Sequence, residues 1–175
     1  MGCRIVSLPL AFAVALTVAA LGTAARSQAP SGKWTQKAPM PAVRGEVAAA
    51  AVGDKLFALG GGVAGKAVPR NEEYDPATNS WTPATPLPTP RSGVAATLYK
   101  GMLLVLGGEL PPNHTFPENE SYDAASDRWV ALAPMPAGRH GFGGAVIGSN
   151  AYFVGGSLTP GGGGITDQLI MFSQP

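Results

Sequence analysis

The sequence predicts an all-β fold assembled from three copies of one short-stranded unit, and three observations carry that prediction. Trp34, Trp81 and Trp129 set a common register, with arginine ten positions after each (Arg44, Arg91, Arg139) and a glycine pair beginning twenty-six after each (Gly60, Gly107, Gly155). Prolines keep the same register at Pro39, Pro86 and Pro134, and again at Pro41, Pro88 and Pro136. A repeat of this period is the signature of an array in which each copy is one supersecondary unit. The 24 glycines and 17 prolines argue against long helices, while 45% hydrophobic residues argue against disorder. Many short strands joined by Gly/Pro turns satisfy both.

Taken in order, residues 1–25 read as a signal peptide. Arg4 supplies the positive end, Ile5 to Leu21 the apolar stretch, and the small residues around Ala25 a cleavage site. Pro9 interrupts the apolar run, which favours cleavage over an uncleaved anchor helix. The expected mature protein is secreted or periplasmic, with no membrane segment. Cys3 is the only cysteine and lies in the leader, so the mature chain has neither disulfide nor thiol chemistry. Residues 26–33 read as a linker. Residues 34–175 hold the three repeats, in units of about 34–80, 81–128 and 129–175.

Each unit opens on a Pro-rich approach such as QKAPMPAVR and then presents two apolar runs around a Gly-containing turn. The pairs are VAAAAV and KLFAL around Gly53-Asp54, VAATLY and MLLVL around Lys100-Gly101, and GGAVI and AYFV around Gly148-Ser149-Asn150. Two such runs make a β-hairpin. Because the runs are apolar at successive positions, both faces of the strands are expected to be covered. After the glycine pair comes a polar segment of variable length. Tyr74 and Tyr122 then stand seven residues before a Trp, with Asp-Pro or Asp-Ala turn chemistry between, and Phe172 takes the tyrosine's place in the third copy.

Trp, Pro-x-Pro, Arg, the apolar hairpin, Gly-Gly and Tyr-Asp before the next Trp together resemble kelch repeats, from Trp34 to about Phe172. The resemblance implies a β-propeller whose repeats each supply one four-stranded blade. This chain would hold three blades, as an open arc or as half of a six-bladed ring. By the same resemblance the hairpin gives the two inner strands, the Tyr segment the third and the Trp segment the outermost. The Trp and Tyr side chains would pack between blades. Trp34-Thr35-Gln36-Lys37 is an outermost-strand segment with no blade before it, and the segment ending in Phe172 leaves the last blade without one. A homodimer closing a six-bladed ring would satisfy both ends; a fragment of a longer propeller is the alternative.

A formal charge of +1 and the absence of any like-charge run exclude a nucleic-acid-binding surface. Loop-length variation falls after the glycine pair, and by the kelch resemblance that loop opens on the same face as the arginine loop. The face would present Arg44, Arg91 and Arg139 with Glu109, His114 and His140 beside them. Converging guanidiniums would clamp carboxylates or phosphates; alternatively each arginine braces its own loop. Neither histidine has ligands at metal spacing, and no cofactor motif occurs, so no metal or cofactor is expected. Asn113 and Asn119 begin glycosylation tripeptides. The expected function is a binding module for a protein or glycan ligand, not an enzyme. A carbohydrate-active enzyme resembling kelch-type sialic-acid epimerases is the alternative, with Glu46, Glu109, Arg139 or His140 as acid/base groups.

Overall fold

The computed structural model describes residues 31–110, 112 and 114–175. The expected leader, most of the linker and the Asn113 tripeptide's acceptor lie outside them. Two compact units divide the chain, 1–35 and 36–175. The described part of the first, residues 31–35, carries no helix or strand.

The second unit is built of antiparallel strands. The first sheet has the order β1 (Ala48–Val52), β2 (Lys55–Leu59), β5 (Asn71–Asp75) and β6 (Ser80–Pro83), with a small hairpin of β3 (Gly62–Val63) and β4 (Lys66–Ala67) between β2 and β5. The second sheet repeats it with β7 (Ala95–Tyr99), β8 (Met102–Leu106), β11 (Asn119–Asp123) and β12 (Arg128–Ala131), and with β9 (Glu109–Leu110) and β10 (His114–Thr115) as its loop hairpin. The third has three strands, β13 (Gly143–Ile147), β14 (Asn150–Val154) and β15 (Leu169–Phe172). Among the described residues β15 has no outer neighbour. In place of the loop hairpin stands one turn of 3₁₀ helix, Pro160–Gly162.

Each inner hairpin closes in two residues. Lys100 and Gly101 both have positive φ (48° and 82°), the pattern of a type I′ turn, whose twist matches that of the flanking strands. The third turn is Gly148-Ser149 alone, because Asn150 already pairs with Ile147 as the first residue of β14. This is one residue shorter than the sequence suggests.

The core lies between the sheets. Phe57 and Leu59 of the first sheet meet Leu103, Val105 and Tyr122 of the second. Leu104 and Leu106, on the opposite face of β8, meet Ala151 and Phe153 of the third. Among the described residues only the second sheet is therefore covered on both faces, which explains why β8 reads MLLVL without alternation. The first and third sheets each have one face that no described strand covers.

The aromatic pairs differ from expectation in depth. Tyr122 is enclosed, edge-on to Phe57 at 5.5 Å between centroids, whereas Trp129 stacks on it at 4.9 Å and remains half-buried at the rim. Trp81 is likewise half-buried over Tyr74. The indole N–H explains the rim position: Trp81 donates to the carbonyl of Ala38 and Trp129 to that of Thr85, both at 2.9 Å. Each bond ties the outer strand to the approach loop of its own sheet. The tyrosine hydroxyls close the same joint, Tyr74 onto Asn79 and Tyr122 onto Asp127, both at 2.7 Å. Asn79 also accepts from the N–H of Ala38 and Asp127 from that of Thr85.

Burial therefore ranks the two aromatics. Tyr122→Ala is expected to destabilise by about 3–5 kcal/mol, as for a core aromatic, and Trp129→Ala by about half as much, since only part of its surface leaves water. Urea melts of the two variants check the order. Asp127 supplies a pH test. Hydrogen bonds from the Tyr122 hydroxyl and then the Thr85 N–H hold its carboxyl below the ordinary value. A depressed folded value adds stability above the ordinary carboxylate pKa, about 3.9, and that stability is lost as pH falls through the folded value. Asp127→Asn keeps both acceptor bonds, as Asn79 does in the first sheet, and removes the titration. The variant's urea midpoint should fall less steeply below about pH 4 than that of the unsubstituted protein.

Candidate functional site

The three repeated arginines do not converge. Each guanidinium turns into its own sheet and grips the first glycine carbonyl of the Gly-Gly pair. Arg44 Nε donates to Gly60 O at 2.9 Å, Arg91 Nη1 to Gly107 O at 2.7 Å and Arg139 Nη1 to Gly155 O at 3.2 Å. A carboxylate from the third strand completes the first two sites, Glu72 on Arg44 and Glu120 on Arg91, each at 2.5 Å. The side chains of Arg44 and Arg91 are wholly enclosed. Bracing the loop, the alternative use of these residues, is what this geometry performs.

The third site is built differently. Ile170 stands where the other sheets carry Glu72 and Glu120, so Arg139 Nη2 bonds the neutral Gln168 Oε1 at 2.8 Å. Its Nε is buried without a partner among the described residues. Burial alone lowers the Arg139 pKa, whereas for Arg91 the desolvation is opposed by Glu120.

The carboxylate and imidazole of the sequence-derived set do meet. Ser92 bridges Glu109, exchanging backbone hydrogen bonds of 3.1 and 2.7 Å, which fixes the base of the β9 side chain. Glu109 Oε2 then accepts the N–H of Gly161 at 2.8 Å and lies 3.4 Å from His140 Nε2. The same nitrogen is 3.1 Å from Thr159 O. With two acceptors before it, Nε2 is placed to donate a ring proton. His140 seats against Gly93, whose positive φ (64°) and lack of Cβ allow the approach. The contacts join second-sheet Glu109 to third-sheet loops.

Glu109 also lines a cleft of about 290 Å³ with Gly45, Glu46, Gly62, Gly65, Lys66 and Ser92, contributed by the loops of the first and second sheets. Two carboxylates, an ammonium and a hydroxyl thus border one space. Lys66 and Ser92 are absent from the residues the sequence singles out. Ser92 was findable, since it takes the position after the repeated arginine, as Gly45 and His140 do. Lys66 was not, because it belongs to the variable loop.

His114 lies outside that lining. It is exposed on the β9–β10 hairpin and packs edge-on against Phe116 at 4.4 Å. Asn119 is buried, with its amide donating to Ala133 O at 3.2 Å, so the second glycosylation tripeptide is closed to modification in the folded protein. No three His, Cys, Asp or Glu residues cluster to hold a metal among the described residues.

The unequal arginine sites predict unequal losses. Arg91→Met strands the buried Glu120 carboxylate and should destabilise by about 3–5 kcal/mol. Arg139→Met leaves only neutral groups behind, the Gln168 amide and the Gly155 carbonyl, and should lose less, about 1–3 kcal/mol. Equal shifts in urea denaturation would contradict this reading of the third sheet.

Comparison with known proteins places part of this architecture. Residues 44–88 match the Kelch motif, a span that runs from the first bracing arginine through the whole first sheet. No curated protein matches the chain. The chain thereby carries a Kelch motif, in the sheet that β1, β2, β5 and β6 build.

Proposed function

We propose that this Kelch-motif protein is an exported binding module whose cleft between the first and second sheets takes a small polyhydroxylated ligand, such as a glycan terminus. The observation that carries the reading is the convergence of Glu46, Lys66, Ser92 and Glu109 on one space of about 290 Å³. That volume is at the lower end of small-molecule sites, roughly 300–1,000 Å³. Carboxylates accept from sugar hydroxyls, and Lys66 and Ser92 donate to hydroxyl or ring oxygens. Glu109 is held by Gly161 and His140, so its position is set before a ligand arrives. The apolar stretch and small-residue exit of residues 1–25 support export.

A glycan array followed by calorimetry on the hits tests the proposal. Lys66→Ala and Glu109→Gln should each weaken binding at least about tenfold, the loss of one hydrogen bond to a charged group. Lys66 is exposed, so its variant should keep the parent melting temperature. Unchanged affinity in both variants would move the site elsewhere.

One observation favours a second reading, a carbohydrate-active enzyme: the Glu109 carboxylate lies 3.4 Å from the His140 imidazole, whose Nδ1 has no hydrogen-bond partner among the described residues. If that pair turns over a bound sugar, His140→Gln should leave affinity intact and abolish conversion, followed by NMR of the ligand. A ligand recovered unaltered favours the binding module.

A further inference from the structure

We infer that two copies of this chain dock through the open faces of the first and third sheets, closing a six-sheet ring in which Trp34 of each subunit completes the third sheet of the other. The inference extends two junctions already present in the molecule, between the first and second sheets and between the second and third.

Those junctions share a set of backbone bonds near the inner ends of the sheets. At the first, Gly61 N–H donates to Arg91 O at 3.0 Å and Gly93 N–H to Glu46 O at 3.0 Å. At the second, Gly108 N–H donates to Arg139 O at 2.8 Å and Gly141 N–H to Gly93 O at 2.9 Å. Continuing the series one step requires Gly156 N–H to meet the carbonyl of Arg44, and Glu46 N–H to meet the carbonyl of Gly141. None of these four groups has a hydrogen-bond partner among the described residues. The donor and acceptor left at one end of the series match the acceptor and donor left at the other. A second copy supplies both.

The side chains continue the junctions in the same way. The third-sheet face that corresponds to the covered faces of the first two carries Ile147, Val154, Leu169 and Met171, all exposed. The open face of the first sheet offers Ala49, Ala51 and Leu56 in the positions where the second sheet offers Ala96, Leu98 and Leu103. At the second junction Gly138 abuts Thr115. The corresponding pair at the open ends is Val43 and Ile165, two exposed aliphatics with nothing against them. Such a contiguous apolar face on a folded unit marks an interface.

The outer edge of the third sheet specifies the last contact. A cavity of about 230 Å³ opens there among Leu106, Ala133, Met135, Phe153, Ile170 and Phe172. In the first two sheets the outer tryptophan stacks on the third-strand aromatic and donates to the carbonyl four residues past the previous repeat tryptophan, Ala38 or Thr85. The corresponding groups in the third sheet are Phe172 and the carbonyl of Ala133, which has only the Asn119 amide. Trp34 is the repeat tryptophan that lies in none of the sheets among the described residues. Closed propellers use about four to eight blades, and six is the one multiple of three in that range, so a ring made only of this three-sheet unit takes two copies related by a two-fold axis.

Light scattering on the full purified chain, coupled to gel filtration, tests this. The expected mass is twice that of one chain. Val154→Lys/Leu169→Lys changes two exposed side chains and should yield a folded species of half that mass. Trp34→Ala should raise the dimer dissociation constant about thirtyfold or more, the scale of an interface hot spot. A stable monomer of the unsubstituted chain would overturn the inference, leaving the open faces to another protein or to further blades of a longer chain. So would a larger assembly, or a dimer that both variants leave intact.

Discussion

The fold depends on a buried guanidinium in each sheet. The Gly-Gly corner bends the chain out of the second strand with both residues at positive φ, and the first glycine carbonyl is left facing inward. Arginine satisfies it, along with a carbonyl of the preceding strand, Ala58 O for Arg44 and Val105 O for Arg91. No water is needed to do so, and five donors on one rigid plane are what the site demands. The glycines are equally fixed: a Cβ on Gly60 would stand 2.6 Å from Arg91 O, and one on Gly107 would collide with Arg139 O. Each arginine thus stiffens the corner from inside, while the carbonyls of Arg91 and Arg139 also dock the corner of the sheet before. Packing within a sheet and packing between sheets are the same interaction seen from two sides.

This double role explains what could be read without coordinates and what could not. Gly-Gly and Arg must recur because every corner needs them, so the repeat and the all-β fold were legible. The hairpins were legible for the same reason: a two-residue turn leaves little freedom in composition. The candidate site was legible only in part. Glu109 and His140 could be placed on the loop-bearing face, but their contact runs through Gly161 in a glycine-rich loop that has no counterpart in the other repeats. Arginine's charge was misleading. Exposed, three cations near one face would recruit anions; buried within their own sheets, they do not present their charge to that face.

The two intact Arg–Glu sites and the altered third also separate structure from specialisation. Glu72 and Glu120 are buried carboxylates that a guanidinium neutralises, and neither faces the cleft. Glu109 is the buried carboxylate held by a backbone N–H and an imidazole instead, and it borders open space. Residues that recur at a fixed offset hold the sheets. Residues that break the pattern at the loops, such as Glu46, Lys66 and Ser92, are free to face a ligand.

Coverage of the second sheet on both faces has a dynamic consequence. Its strand Met102–Leu106 buries nearly every side chain, and its amides cannot open without separating two interfaces at once. The flanking sheets each guard one interface and can loosen individually. Amide exchange in a single chain should therefore be graded, slowest in Met102–Leu106 and faster outward, with cooperative units that follow the sheets. Such a molecule behaves less like one domain that melts than like a short row of tiles, in which the middle one is the last to lift.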